Sequence, residues 1–319
     1  MHVLLKNQMV NTVYVGYDPK EHTAYEVLKF SLERISTKPV RVIPLRRDIL
    51  TKIGIYTRKH NSISGQDYDE IDGKPFSTQF SFSRFLIPAL NMYEGLALYM
   101  DSDMYVRSDI SELFDMCNDN YYPIHVVKHK YEPKDKVKMD GKEQHIYPRK
   151  NWSSLIMFNC GHELNQKLTP QEVNTKSGRW LHTFQWLPDK EADIGSIPEE
   201  WNWLDNHSSS DLNAKNVHFT TGGPWFKNWG SKRDIDNKYA IEWSNDAQWL
   251  QMQGILDAIS SLAYGDDSEE NSNSVENGHN NRQQDEYRVI SQSPLSTETN
   301  SNTSTQAITF TIVNSWLAI

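Results

Sequence analysis

Leu96-Ala97-Leu98-Tyr99-Met100-Asp101-Ser102-Asp103-Met104-Tyr105-Val106 is the stretch that decides the fold of this chain. Its first five residues are apolar without a break, which marks a strand buried on both faces. Such strands belong to parallel sheets covered by helices, and ligands bind beyond the carboxyl ends of those strands. Here that end is Asp101-Ser102-Asp103. Carboxylates at i and i+2 on a strand end can both reach one hard cation. Without a cation they repel, and one is pushed toward protonation. The residues therefore point to a divalent metal site. The competing reading is a polar turn leaving a strand, with Asp103 capping the next element.

Working outward, residues 12–17 (Thr-Val-Tyr-Val-Gly-Tyr) read as a β-branched and aromatic strand. Asp18, Pro19 and Glu21 then supply an N-cap, a first-turn proline and a capping-box acid. Ala24, Val27, Leu28, Leu32 and Ile35 keep one helical face. Residues 41–45 read as a second strand, 54–75 as a loop, and 81–93 as a helix bent at Pro88. This alternation implies an α/β domain with a mostly parallel central sheet.

Hydrophobic residues make up 37% of the 319, enough for a sizeable core. The formal charge of −9 argues against a general nucleic-acid binder, which needs a net basic footprint. No window approaches the roughly 18 apolar residues of a membrane span. The first residues lack a signal-peptide pattern. The two cysteines, Cys117 and Cys160, form no metal-finger spacing or disulfide framework. These features together lead us to expect a cytoplasmic protein, with peripheral membrane contact left open. Composition changes sharply near residue 264. Residues 265–319 hold eight acidic and two basic residues and are dominated by Asn, Ser, Thr and Gln. We expect residues 1–264 to be the catalytic domain and 265–319 a polar, acidic, disordered tail. The apolar end of that tail, 308–319, reads either as a docking strand or as a sticky terminus.

The Asp-x-Asp stretch and the Asp109-Ile110-Ser111-Glu112-Leu113 beyond it resemble nucleotide-sugar glycosyltransferases of the GT-A fold. The likeness is to family eight, the glycogenin and lipopolysaccharide galactosyltransferase group. Phe82-Ser83-Arg84-Phe85-Leu86-Ile87-Pro88 resembles that family's Arg-bearing helix, and Phe158-Asn159-Cys160-Gly161 its Phe-Asn-x-Gly strand end. His218-Phe219-Thr220-Thr221-Gly222-Gly223-Pro224-Trp225 resembles its His-x-x-Gly-x-x-Lys-Pro-Trp signature. The resemblance runs over about residues 11–230, in the same order and with similar spacing. It implies a GT-A-like single domain, transfer of a sugar from a nucleoside diphosphate with retention, and a uridine diphosphate sugar as donor. It implies a carbohydrate or a glycan- or lipid-linked molecule as acceptor. By the same resemblance Asp101, Asp103 and His218 hold a divalent metal. Imidazole with carboxylates suits manganese better than calcium, and magnesium is the alternative. The donor would be bound by Tyr17, Asp18, Arg84, Asp101, Ser102, Asp103, Gly222, Gly223 and Lys227.

Several of these residues carry a second reading. Gly223 stands where the family has its diphosphate-binding Lys, and the motif is one residue shorter, so the missing charge would come from Lys227 or Arg84. Arg84 reads equally as a helix-surface charge, His218 as a loop histidine beside Trp225, and Asp18 as an N-cap. Retaining members place an amide near the anomeric carbon. Gln185, which lacks the family's preceding Asp, and Asn159 are the candidates, each also readable as structural. Nine of the ten tryptophans lie between residues 152 and 249, as core filling or as an acceptor groove. Lys128-His129-Lys130 and Arg149-Lys150 flank a polar insertion, readable as a solvated loop or as a contact for an anionic acceptor. A haloacid-dehalogenase-type phosphatase fits poorly, because Met-Tyr comes after the Asp-x-Asp. A non-catalytic carbohydrate- or nucleotide-sugar-binding protein on a decayed transferase fold is the alternative.

Overall fold

The computed structural model describes residues 10–130, 149, 151–189, 191–205, 207–220, 222–226 and 238–263. Its strands are β1 (Asn11–Gly16), β2 (Val40–Leu45), β3 (His60–Ile63), β4 (Gln66–Asp69), β5 (Pro75–Phe76), β6 (Leu96–Met100), β7 (Met104–Val106), β8 (Ile124–Val126), β9 (Leu155–Asn159), β10 (Ile194–Ser196), β11 (Trp203–Leu204) and β12 (Asn216–His218). Its helices are α1 (His22–Ile35), α2 (Arg47–Lys52), α3 (Ile87–Leu90), α4 (Ser111–Met116), α5 (Pro170–Thr175), α6 (Gly178–His182) and α7 (Lys238–Ala263). Two compact units divide the chain, Met1–Gln253 and Gly254–Ile319. Of the second, the described residues are the last turns of α7. The expected polar tail (265–319), the insertion at 131–148, Lys150 and Lys227 lie outside the described residues. Among the described residues no helix is long and apolar enough to cross a membrane.

The first unit is an α/β fold with a mostly parallel central sheet, the class read from the alternation of its elements. The sheet has six strands in the order β10-β8-β9-β6-β1-β2. All run parallel except β9, which is antiparallel to both β6 and β8. Period-two alternation splits the apolar residues between two cores. Val13, Val15, Leu98, Met100, Leu155 and Met157 face one core, with Leu28 and Leu32 of α1. Tyr14, Ala97, Tyr99, Ile156 and Phe158 face the other, against Phe80, Phe85 and Leu86. Ala97 to Met100 have no exposed surface, so β6 is buried on both faces as its sequence required.

Two expectations are corrected. Residues 54–75 contain the antiparallel meander β3-β4-β5 instead of a loop. Ser64 and Gly65 turn the first hairpin with φ of +50° and +82°, the left-handed pair of a tight hairpin turn. The strands are short and mostly polar, so they carry no apolar alternation. What holds them is a buried ion pair. Arg58 Nε and Nη2 donate to Asp69 at 2.7 and 2.8 Å, and Nη1 donates to the Val173 and Lys176 carbonyls of the α5 region. Residues 81–93 are a 3-10 turn (Ser83–Leu86) followed by a single α turn, not a bent helix. Pro88 cannot donate to the carbonyl four residues back and so sits at the start of that turn. Met92 and Tyr93, at φ of +57° and +56°, end it.

A third, smaller sheet orders β11-β12-β7, with β12 antiparallel to β7 and parallel to β11. It packs on Tyr239, Ala240 and Trp243 of α7. Of the clustered tryptophans, Trp152, Trp186, Trp201, Trp203 and Trp243 are buried, while Trp249 is exposed.

His182, at the end of α6, packs edge-on to Phe85 and hydrogen-bonds Ser153 Oγ through Nδ1 at 2.7 Å. Burial, then the Arg84 and Arg58 guanidinium groups, push its pKa down to about 3. The unfolded chain therefore binds the extra proton between about pH 3 and the ordinary histidine value near ~6.5. Its contribution to stability is complete above that window and is lost as pH falls through it. We expect the melting temperature to decline below about pH 6.5, with a slope from this group of up to ~1.4 kcal/mol per pH unit. Thermal melts at several pH values should show a shallower acid decline in His182→Gln, whatever that variant's stability at neutral pH. Parallel declines would show that His182 does not titrate on unfolding.

Candidate metal centre

The carboxyl edge of the sheet gathers the candidate residues by register. Met100 pairs with Val15, so Asp101 emerges beside the end of β1, where Tyr17 and Asp18 come after Gly16. β9 begins at this edge, with Leu155 opposite Met100. The Asp101 amide donates to the Ser154 carbonyl at 2.9 Å, which anchors the turn. His218 comes from the other sheet. It pairs with Met104, and the Phe219 amide donates to the Asp103 carbonyl at 2.9 Å. One antiparallel pairing thus joins residues far apart in the chain. Ligand atoms of Asp101, Asp103 and His218 all lie within 4.8 Å of one another.

Each member of the trio is held from behind. Arg84 is buried and is no surface charge. Its Nη1 lies 2.9 Å from Asp101 Oδ1 and donates to the Ser153 carbonyl at 2.7 Å. Tyr99 Oη donates to the same carboxylate oxygen at 2.5 Å. Desolvation pushes the Asp101 carboxyl up, Arg84 opposes it, and the Asp103 charge adds to the rise. The net direction is upward, as expected of two close carboxylates that lack a full complement of positive charge. His218 Nε2 faces Asp103 Oδ1 at 3.2 Å, and its Nδ1 meets Asn202 Oδ1 at 2.9 Å. Ser102 is fully buried and donates through Oγ to Glu21 Oε2 at 3.1 Å.

The other sequence candidates take varied places around this trio. Asp18 caps the turn before α1. Its Oδ1 accepts from the Lys20 amide at 3.1 Å and its Oδ2 from the Gln79 amide at 3.2 Å. Backbone donors thus occupy both oxygens. Tyr17 lies edge-on to Tyr25, with the Arg46 guanidinium over its ring. Gly222 has a φ of +111°. A Cβ on Gly223 would fall 2.1 Å from the Trp225 ring, so this conformation has no room there for the family's Lys. Gln185 is exposed, with its amide donating to Thr183 Oγ1 at 3.0 Å. Asn159 is not brought to the trio. Because β9 runs antiparallel, Asn159 pairs with Leu96 at the opposite end of β6, and its carbonyl accepts from Asn165.

Two residues of the centre escaped the sequence reading. Asn202 is fully buried at the end of a 3-10 turn, with no motif to mark it. His129 read as part of a basic run. Burial, then the nearby His218, push its pKa down to about 3, so it is neutral and turned inward. The neighbouring Arg149 donates to the Thr183 carbonyl and to Glu191.

No family model matches the chain. Among solved structures it is similar in fold to the WbbM bifunctional glycosyltransferase, at 15% identity and a TM-score of 0.43, over 68% of this chain and 47% of that one. It is also similar to the glycosyltransferase GlyE of Streptococcus pneumoniae TIGR4, at 16% identity and a TM-score of 0.45, over 75% of this chain and 60% of that one. The chain therefore spans 47% and 60% of the lengths of these two proteins. In sequence it is 43% identical over 241 residues to Protein CDI of Arabidopsis thaliana, which covers 74% of this chain and 85% of that protein. The chain belongs to the family of Protein CDI.

Proposed function

We propose that the protein is a metal-dependent glycosyltransferase of the GT-A type. It moves a sugar, with retention, from a nucleoside diphosphate donor to a carbohydrate or a glycan- or lipid-linked acceptor. The donor we assign is a uridine diphosphate sugar, and the catalytic body we assign is residues 1–264. One observation carries this reading. Two carboxylates at the end of a buried strand and an imidazole from a separate sheet converge, with ligand atoms within 4.8 Å of one another. A polar turn would explain Asp101 and Asp103 but leaves the approach of His218 without a reason.

The donor set of two carboxylates and one imidazole fits a divalent ion, manganese before magnesium. Asp101, Asp103 and His218 would hold it. When bound, the ion supplies positive charge against the diphosphate as the sugar departs. The remaining work falls to the protein. Arg84 and Tyr99 fix the Asp101 carboxylate from behind. Tyr17 stands at the same sheet edge as a stacking surface for the base. Gln185 is the amide we assign near the anomeric carbon. His129, near His218, is kept neutral by burial and by that neighbour.

The direct test is hydrolysis or transfer from nucleotide sugars with and without manganese. Asp103→Asn removes charge while keeping volume. It should lower manganese-dependent turnover at least a hundredfold with an unchanged circular dichroism spectrum. Turnover near the wild-type rate would remove the Asp-x-Asp pair from the chemistry. Manganese-dependent donor binding without turnover on any acceptor would instead favour the non-catalytic binding protein.

Arg84 offers a second test. Arg84→Gln leaves the partly buried Asp101 carboxylate without its guanidinium and should cost about 3–5 kcal/mol of stability at neutral pH. Because the site becomes more negative, saturating manganese should raise the variant's melting temperature by more degrees than it raises the wild type's. Equal metal-induced shifts in the two proteins would show that the ion does not sit against Asp101.

A further inference from the structure

Resting on the metal reading above, we infer that Asn202 is a positioning residue that keeps the proton of His218 on Nδ1 and so presents a bare Nε2 to the Asp101–Asp103 pair. A neutral imidazole has one N–H, yet His218 lies between two acceptor oxygens. Asn202 Oδ1 is 2.9 Å from Nδ1, and Asp103 Oδ1 is 3.2 Å from Nε2. Which nitrogen holds the proton depends on which way the Asn202 amide points, and its surroundings decide that. Asn202 Nδ2 donates to Ser154 Oγ at 3.0 Å and to the Asn151 carbonyl at 3.4 Å. Ser154 Oγ in turn gives its own proton to the Asn151 carbonyl at 2.7 Å. A flipped amide would set Oδ1 against that carbonyl and take from Ser154 its hydrogen bond. Asn202 is fully buried, so water does not relieve the conflict.

The proton therefore belongs on Nδ1. Nε2 then confronts a carboxylate oxygen lone pair to lone pair, an arrangement that calls for a cation between them. This gives the imidazole the polarity of a ligand before any ion arrives. Metal-bound histidines generally donate their second ring nitrogen to a fixed oxygen in this way, and losing that oxygen typically costs about 10–100-fold in metal affinity. The buried Trp201 and the pairing of Leu204 with His218 hold Asn202 in place from either side.

The experiment uses the full chain, with two readouts. The first is the His218 tautomer, read from long-range proton–nitrogen correlations in the metal-free protein at a pH well above the histidine range. The second is manganese affinity, read by electron paramagnetic resonance without donor. We expect the Nδ1–H form in the wild type. Asn202→Leu should move the proton to Nε2 and weaken manganese binding about 10–100-fold. Asn202→Asp restores an acceptor oxygen. Its second oxygen meets the Asn151 carbonyl that the amide nitrogen served, so the variant loses stability but should return the proton to Nδ1, which a merely structural role would not do. An Nε2–H wild type, or an Asn202→Leu protein with unchanged tautomer and affinity, overturns the inference. His218→Ala separates this failure from that of the metal reading. If it binds manganese like the wild type, the metal assignment is what fails. If it loses affinity while Asn202→Leu does not, only the role of Asn202 falls.

Discussion

Asp101 is a carboxylate at the end of a strand whose last four residues have no exposed surface, where Arg84 and Tyr99 oppose the desolvation that pushes its pKa up. Burying a carboxylate is expensive unless it is paired and hydrogen-bonded. Arg84 provides the pairing, and Tyr99, two residues back on the same face of β6, provides a hydroxyl donor. These two supports constrain what surrounds them. A Cβ on Gly16 would lie 2.5 Å from the Phe80 ring and 2.7 Å from the Tyr99 hydroxyl, so the first strand must end in glycine. His182 packs against the ring of Phe85 near the same guanidinium and is kept neutral by burial and by that charge. This one carboxylate thus ties β6, the 3-10 turn that carries Arg84 and the end of β1 together.

The charge balance explains why the centre suits a cation. Arg84 answers one carboxylate, and its contact and that of Tyr99 both fall on Oδ1 of Asp101. Asp103 is answered by an imidazole whose other nitrogen already meets an acceptor. A doubly charged ion would complete this set.

The order of elements is largely legible in the sequence. β6 is legible to the residue and β1 to within one, because their apolar runs are strong, while α1 begins three residues beyond the Asp18-Pro19 boundary, after a 3-10 turn at Pro19–Glu21. The meander at 60–76 is not, since its short polar strands are held by a buried Arg58–Asp69 pair and not by an apolar face. The three residues of the centre are legible as motifs. Asn202 is not, because one asparagine among 3-10 residues carries no local pattern.

Alternation of side chains, strand ends and the capped turn before α1 arise from neighbours in the chain, so the sequence alone determined the α/β class and the edge on which the carboxylates lie. Pairing between distant segments carries no such local signature. The antiparallel direction of β9 therefore decided, in three dimensions, that Asn159 leaves the centre while residues 151–154 join it. The pairing of β12 with β7 decided that His218 reaches Asp103, and the hydrogen bonds among Asn151, Ser154 and Asn202 decided how its ring is presented. Register and hydrogen-bond direction are properties of the packed whole, and they turned a set of motifs into a geometry.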